Sequence, residues 1–137
     1  MEKKSKILVV DDKGIDRYML GCIFREKYEV VEASGGQEAI KLITGLSDVL
    51  SIVLLDIVMP EVDGFDVLEY MKKKEILSTL PVVIVTDDDS EETTIRAFEY
   101  NVADIVIKPY EPRIIKRRVE NIIELYIYKR KERLYGG

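Results

Sequence analysis

Five short apolar runs alternate along the chain with five longer stretches of amphipathic pattern. The apolar runs predict strands at about 6–10, 28–33, 52–56, 81–86 and 104–107. The amphipathic stretches predict helices at about 14–26, 36–47, 64–74, 90–100 and 112–134. Because strands joined through helices lie parallel with right-handed crossovers, the alternation predicts an α/β fold, a flavodoxin-like (βα)5 three-layer sandwich. We expect the sheet order 2-1-3-4-5, whose switch point lies between strands 1 and 3.

Capping residues agree with these boundaries. The segment SGGQ at 34–37 has the spacing of a capping box and predicts the start of the second helix. Asp89 or Ser90 can cap the fourth helix, and Pro112 suits the first turn of the fifth.

The composition is that of one folded domain of 137 residues, with 47% hydrophobic and 34% charged residues. A net charge of −5 gives no support for nucleic-acid binding, and no apolar run approaches the ~18 residues that a membrane span needs. The segment MEKKSKILVVDD has only a strand-length apolar run, so we expect no signal peptide and a cytoplasmic protein. The single cysteine, Cys22, falls in a helical pattern and is predicted to be a core thiol in a reducing compartment.

Polar side chains stand at the C-terminal ends of four predicted strands: Asp11 with Asp12, Asp56, Thr86 and Lys108. These ends share one edge of a parallel sheet, so we expect the side chains to meet there. Two like charges about 4 Å apart repel by roughly 4 kcal/mol at an effective dielectric constant of about 20, so three carboxylates need cations. Lys108 supplies one positive charge and leaves an anionic hole that suits Mg²⁺.

Such a group of side chains has the chemistry of phosphoryl transfer. Screened by Mg²⁺ and by Lys108, one carboxylate can attack a phosphoryl group and become an aspartyl phosphate. A cation, a hydroxyl and an ammonium can each hold one phosphoryl oxygen. Any one aspartate alone would more simply cap a helix or end a strand, and the coincidence of four strand ends favours the site. The chain has no histidine, so any phosphohistidine involved must belong to another protein.

Four motifs carry a resemblance to a known family: ILVVDD at 7–12 followed by Arg17, LLDIVMPEVDG at 54–64, VVIVT at 82–86 and KPY at 108–110. Over residues 5 to 125 the chain resembles the CheY-like receiver domain of response regulators in bacterial two-component systems. The resemblance implies a phosphorylation-dependent signalling switch to which a sensor histidine kinase or a phosphotransfer protein donates the phosphoryl group. It implies no turnover of a metabolite, so we do not expect an enzyme.

The resemblance also implies a role for each acidic residue. Asp56 matches the phospho-acceptor. Asp12 and Asp56 match the carboxylates that bind Mg²⁺ directly, and the backbone carbonyl of Val58 matches a third protein ligand. Asp11 matches the acid that reaches the metal through water.

The remaining family positions concern the switch and the loops. Thr86 matches the hydroxyl that moves toward a phosphoryl oxygen, and Lys108 matches the ammonium that binds another. The family implies a cis bond before Pro109, which would help to aim Lys108. The residues at 59–60 and Gly64 shape the loop after the acceptor, and Gly64 opens the third helix.

Three positions depart from the family pattern. Ile105 stands where the family usually has an aromatic that rotates when the threonine moves, so we predict that activation shifts the fourth helix and its preceding loop without an aromatic flip. Transmission is still expected through the face of the fourth helix, fifth strand and fifth helix. Asp87 replaces a usual small residue, and an anion beside the entrance should repel anionic phosphodonors. Asn101 replaces a usual glycine after the fourth helix and tolerates the left-handed conformation.

The fifth helix is long and ends in a basic, tyrosine-rich segment. About 23 residues span about 35 Å, against ~17–20 Å for a strand, so we expect the last two or three turns to stand clear. We therefore expect a receiver domain at 1–125 and a basic helical extension at 126–137. The extension suits a solvated tail, a homodimer seam or a connector to an output domain. It is similar to the helix ahead of cyclic di-GMP synthases and phosphodiesterases, which would make the chain an N-terminal module.

Two other functions stay open. A constitutive interaction or dimerisation module would keep the fold while phosphorylation matters little; Asp87 and Ile105 favour it, and the intact site residues oppose it. A Mg²⁺-dependent phosphohydrolase on a related sheet would place its second acid two residues from the nucleophile, whereas Asp11 and Asp12 are adjacent. The chain holds no glycine-rich nucleotide-binding motif.

Overall fold

The computed structural model describes the backbone of residues 6–135 and the side chains of residues 6–131. Within these residues the strands are β1 (Lys6–Val10), β2 (Glu29–Ala33), β3 (Leu50–Leu55), β4 (Val82–Thr86) and β5 (Asp104–Ile107). The helices are α1 (Gly14–Phe24), α2 (Gly36–Leu46), α3 (Gly64–Lys73), α4 (Glu91–Glu99) and α5 (Pro112–Tyr135). The strands are parallel in the order β2-β1-β3-β4-β5. The predicted sandwich, its strand order and its long last helix are confirmed.

The middle of the sheet is buried on both faces, as its apolar sequence requires. Every residue of β3, LSIVLL, is buried. Successive residues of β1 face opposite layers, because side chains alternate along a strand. Leu8 and Val10 pack with α2 and α3, and Ile7 and Val9 pack with α1 and α5. The two cores hold the strands in register, so that their C-terminal ends form one edge.

Backbone hydrogen bonds continue beyond the strand ends into the residues that carry polar side chains. The Asp56 N–H donates to the Val10 carbonyl at 3.0 Å, and the Lys108 N–H donates to the Thr86 carbonyl at 2.8 Å. Asp56 and Lys108 are therefore fixed by the sheet and are not carried on free loops.

Two helix starts and one helix end follow the sequence. Ser90 caps α4, since its hydroxyl accepts the Thr93 N–H at 3.2 Å. α5 begins at Pro112, whose missing N–H costs nothing in the first turn. Asn101, after α4, adopts a left-handed φ of 61°, as predicted for this position.

The capping box predicted at 34–37 is wrong. The N-cap of α2 is Gly35, so the helix starts one residue later than a Ser34 cap would require. Glu38 then occupies the third helical position and accepts the Ser34 N–H at 2.7 Å and the Ser34 hydroxyl at 3.1 Å. These bonds hold the pKa of Glu38 below its ordinary value. The Glu38 carboxylate thus makes the hydrogen bonds at the start of α2, where a pair of Ser34 and Gln37 was predicted.

The last helix lies closer to the domain than its length predicted. α5 has 24 residues, about 36 Å, and among its residues up to 131 the buried ones are Ile115, Val119 and Ile123. Arg130 donates to the Thr79 carbonyl at 3.3 Å, and burial raises the pKa of Tyr126. The expectation that the last turns of α5 stand clear of the domain is therefore wrong for the helix up to Arg130. The side chains beyond 131, and residues 136–137, lie outside the described part of the chain.

The outer surfaces of the helices give one further correction. α1 turns Leu20, Gly21 and Phe24 toward the core, which leaves Cys22 on the opposite side. Cys22 is exposed, so the prediction of a core thiol is wrong.

Among the helices of residues 6–135, none is both long enough and apolar enough to cross a bilayer.

Candidate functional site

Three carboxylates meet at the C-terminal edge of the sheet. Asp11 and Asp12 follow β1, Asp56 follows β3, and one carboxylate oxygen of each lies within 4.8 Å of the others. Asp11 and Asp56 are buried, with 3% and 4% exposure. Asp12 has a buried oxygen, Oδ1, with no hydrogen-bond partner in the described part of the chain. The predicted meeting of these side chains is observed, and it leaves an anionic oxygen unsatisfied.

The ammonium of Lys108, just after β5, lies among these acids. Its Nζ is 2.8 Å from Asp11 Oδ2, 3.1 Å from Asp16 Oδ2 and 3.9 Å from Asp56 Oδ2. Burial by itself lowers the pKa of Lys108, but hydrogen bonds to Asp11 and Asp16 outweigh it, so the pKa lies above its ordinary value. Lys108 therefore stays charged and offsets part of the repulsion between the carboxylates.

The Asp56 carboxylate is shielded from water. Its Oδ1 accepts the Ile57 N–H at 2.8 Å. Burial is the largest influence on the pKa of Asp56 and raises it. The charge of Asp11 also raises this pKa, and the charge of Lys108 lowers it, so that the pKa lies above its ordinary value. A poorly hydrated carboxylate of raised basicity is suited to attack an electrophile.

Thr86 is joined to the start of α4 by a short chain of hydrogen bonds. It is fully buried at the end of β4, and its hydroxyl oxygen accepts the Asp88 N–H at 3.2 Å. The Asp88 carboxylate accepts the Ser90 N–H at 3.0 Å and the Thr93 hydroxyl at 2.7 Å. A displacement of the Thr86 hydroxyl oxygen would therefore act through Asp88 on the first turn of α4.

Two neighbours fix the loops that carry the acids. Arg17 donates to the Asp11 carbonyl at 2.8 Å and to Glu32 Oε1 at 2.8 Å, which ties the loop after β1 to β2. A Cβ on Gly64 would lie 2.5 Å from the Asp56 carbonyl oxygen, so only glycine allows this approach of the loop after β3. Both contacts hold acidic residues of the site in place.

The entrance of the site carries an ion pair. Asp87 Oδ2 lies 3.8 Å from Lys13 Nζ, and both side chains are about 60% exposed. The predicted anion at the entrance is present, but Lys13 offsets part of its charge. Asp87 and Lys108 also line a cavity of about 510 Å³ between α1 and the start of α5.

The sequence model of the response regulator receiver domain family matches residues 7–120. The chain belongs to this family. The receiver domain match therefore covers β1, from residue 7, to β5 and the first part of α5, up to residue 120.

Curated relatives of this receiver domain extend beyond it. It is 34% identical over 121 residues to the transcriptional regulatory protein ResD of Bacillus subtilis, covering 88% of this chain and 48% of ResD. A similar match, 32% over 120 residues, is to the transcriptional regulatory protein SrrA of Staphylococcus aureus, again covering 48% of the relative. The chain thus spans about half the length of the curated relatives it matches.

Solved structures share the fold. A CheY-like receiver domain from Methanospirillum hungatei superposes with a TM-score of 0.82 at 23% identity, covering 91% of this chain and 98% of that one. A two-component response regulator/GGDEF domain protein gives a TM-score of 0.82 at 25% identity, covering 90% of this chain and 50% of that one. At such identities the likeness establishes the architecture of the receiver domain.

The structure brings together most of the residues that the sequence selected. Oxygen atoms of Asp11, Asp12 and Asp56 lie within 4.8 Å of one another. Lys108 Nζ lies 2.8 Å from Asp11 and 3.9 Å from Asp56, and Thr86 ends β4, the strand beside β3. The cis bond before Pro109 is present. The Val58 side chain is 59% exposed, and the role of its carbonyl as a metal ligand stays a prediction.

Sequence reasoning missed Asp16. Its carboxylate contacts Lys108, although the two residues are far apart in the chain. One signal for it existed: Asp16 follows Asp12 by four residues, about one helical turn, at the start of the first amphipathic stretch.

The donors of the receiver domain fit a hard divalent cation. Carboxylate oxygens within 4.8 Å of one another are ligands that Mg²⁺ prefers, and the buried, unpartnered Asp12 Oδ1 would gain a partner from it. Lys108 alone leaves the cluster with a net negative charge, which favours a further cation. The donor set and the charge both match the predicted Mg²⁺.

We expect Asp56→Asn to stabilise the receiver domain in metal-free buffer at pH 7. Because folding raises the pKa of Asp56, the stability from this group is present below its unfolded pKa, about 4, and is lost as pH rises through the folded pKa. The amide removes the ionised group and should gain roughly 1–2 kcal/mol, or several degrees in the midpoint of thermal unfolding.

Thermal unfolding in EDTA measures this effect. The gain should shrink as pH falls to about 4, where Asp56 of the wild type becomes protonated in both the folded and the unfolded state. The exposed Asp48 supplies a control, because Asp48→Asn removes the same charge without touching the site. An Asp56→Asn protein that unfolds at or below the wild-type temperature at pH 7 would contradict the expectation.

Proposed function

We propose that this receiver domain is a phosphorylation-dependent switch in which Asp56 accepts a phosphoryl group with the assistance of Mg²⁺. The donor is a phosphohistidine of a sensor histidine kinase or of a phosphotransfer protein, since the chain itself has no histidine. The observation that carries the proposal is the burial of Asp56 within reach of two further carboxylates and of the charged Lys108. The domain turns over no metabolite.

The proposed reaction is a displacement at phosphorus. A carboxylate oxygen of Asp56 attacks the phosphorus atom, a P–O bond forms, and the P–N bond to the donor histidine breaks. The electron pair of that bond stays on the imidazole nitrogen, which takes up a proton. Later, water attacks the phosphorus, the bond to Asp56 breaks, and inorganic phosphate leaves with Asp56 restored as a carboxylate.

The residues around Asp56 divide the work of binding the phosphoryl group. Lys108 binds one phosphoryl oxygen and the Thr86 hydroxyl donates a hydrogen bond to another. Asp12, Asp56 and the Val58 carbonyl would hold Mg²⁺ directly, with Asp11 acting through water. When bound, the cation neutralises charge on the phosphoryl oxygens as they move toward Asp56.

Transmission follows from the hydrogen bonds of Thr86. If its hydroxyl oxygen moves toward a phosphoryl oxygen, the hydrogen bond from the Asp88 N–H is stretched or broken, and the loop at 87–90 rearranges together with the first turn of α4. Ile105 offers no aromatic ring for the usual family motion. The α4–β5–α5 face that receives the change exposes Ile95, Phe98, Ile107 and Ile114, which suits it to contact a target, an output domain or a second copy.

The output belongs to the longer protein that the relatives suggest. ResD and SrrA are named as transcriptional regulatory proteins, and one structural neighbour carries a GGDEF domain. We propose that the chain is the receiver module of such a protein and that the extension at 126–137 connects it to an output domain. With a net charge of −5, the module itself is not the nucleic-acid-binding part.

Phosphotransfer tests the proposed function. Purified receiver should gain label from a phosphorylated histidine kinase in the presence of Mg²⁺, and EDTA should prevent it. Asp56→Asn should abolish the label, whereas Asp63→Asn, in the same loop but outside the acidic cluster, should keep it. Label that persists in Asp56→Asn would contradict the proposal.

If the signal passes from Thr86 to α4 through Asp88, removal of the Asp88 carboxylate should uncouple α4 from the phosphoryl site. Asp88→Ala should still bind beryllofluoride, a phosphoryl mimic, but the amides of 91–95 should lose most of their response. Amide chemical shifts of the loaded and unloaded protein measure this, with Asp89→Ala as the control in the same loop. An undiminished α4 response in Asp88→Ala would show that the signal takes another route.

Asp87 should slow small anionic donors. Asp87→Ala is expected to speed labelling of Asp56 by acetyl phosphate about two- to threefold, since Lys13 already offsets part of the repulsion. Lys13→Ala should act in the opposite direction. The rate of aspartyl phosphate formation at low salt measures both, and an unchanged or slower rate in Asp87→Ala would contradict this prediction.

A further inference from the structure

Asp16 is an acid of this site that the phosphoryl-transfer scheme does not use. It lies in the first turn of α1, outside the group of carboxylates that could hold a metal ion. Its Oδ2 accepts a hydrogen bond from Lys108 Nζ at 3.1 Å. The contact joins the first helix to the residue after the last strand, so it depends on the folded structure.

The ammonium of Lys108 is turned toward α1 and not toward the acceptor. Two of its hydrogen bonds go to Asp11 at 2.8 Å and to Asp16 at 3.1 Å, while Asp56 lies at 3.9 Å, beyond hydrogen-bond distance. A phosphoryl group on Asp56 needs this ammonium. An ammonium has three N–H donors, so a phosphoryl oxygen can take the third, but Nζ must move toward Asp56 to supply it, and that movement stretches the contact with one of its two carboxylates.

Asp16 is the partner that can yield. The Asp11 side chain is only 4% exposed, and its other oxygen accepts the Lys13 N–H at 2.9 Å. The Asp16 side chain is 38% exposed and borders the cavity of about 510 Å³ beside Lys108. Release of Asp16 therefore places its carboxylate in water without burying an unpaired charge.

We propose that Asp16 is a positioning residue, a latch that holds Lys108 toward α1 and competes with the phosphoryl oxygen for its ammonium. The inference rests on the proposed function, because it concerns how Lys108 reaches the group on Asp56. The latch sets the affinity of the site for a phosphoryl group without touching that group. It acts through Lys108 alone, which separates it from a general effect of negative charge.

Beryllofluoride binding in excess Mg²⁺ tests the latch, with titration calorimetry as the measurement. Asp16→Asn, which keeps the shape and removes the charge, should bind beryllofluoride about three- to tenfold more tightly than wild type. Its affinity for Mg²⁺ alone should stay within about twofold, because Asp16 lies outside the metal group. A variant that merely disturbed the fold would lose affinity for both ligands and would overturn the latch.

A double-mutant cycle with Lys108→Met supplies the decisive comparison. If Asp16 acts through Lys108, Asp16→Asn should change beryllofluoride affinity less than about twofold in the Lys108→Met background. A gain that persists there would reveal a general charge effect and overturn the latch. Equal affinities of wild type and Asp16→Asn would also overturn it, while a wild type that binds no beryllofluoride would overturn the proposed function as well.

Discussion

Three negatively charged carboxylates are held close together at one edge of the sheet, and the other features of the site depend on their mutual repulsion. Asp11, Asp12 and Asp56 place oxygens within 4.8 Å of one another, and close pairs of this kind repel by roughly 4 kcal/mol at an effective dielectric constant of about 20. The apolar layers on both faces of the sheet hold them together against this repulsion. Lys108 offsets part of it and also orients the site. The charge that remains makes the site favourable for a divalent cation, and burial, together with the charge of Asp11, holds the pKa of Asp56 above its ordinary value.

The same constraint explains contacts of residues outside the acidic cluster. The loop after β3 must come close to Asp56, and Gly64 permits it because a Cβ would lie 2.5 Å from a backbone oxygen. Arg17 pins the loop after β1 from outside the cluster. Thr86 ends β4 with its hydroxyl engaged by the Asp88 N–H, so any change of charge on Asp56 that attracts this hydroxyl also disturbs α4. In the proposed function, the phosphoryl chemistry and its transmission thus start from the ends of neighbouring strands.

Much of this could be predicted from the sequence, because strand ends and apolar runs are local features. The order of the sheet and the meeting of Asp11, Asp12, Asp56 and Lys108 follow from where the runs stop. Contacts that depend on how helices pack could not be predicted. Asp16 reaches Lys108 only because α1 lies beside the start of α5, and the face of α1 that carries Cys22 is decided by the rotation of the helix. The contact of Arg130 with the Thr79 carbonyl was missed for a similar reason, since the length of a helix does not show which of its side chains contact the rest of the domain.

A crystal structure of the chain with Mg²⁺ and beryllofluoride tests the central claim most directly. We predict beryllium bound to an Asp56 oxygen, Mg²⁺ bound by Asp12, Asp56 and the Val58 carbonyl, and Lys108 Nζ within hydrogen-bond distance of a fluorine atom. An unmodified Asp56, or a cation bound away from Asp12 and Asp56, would contradict the account.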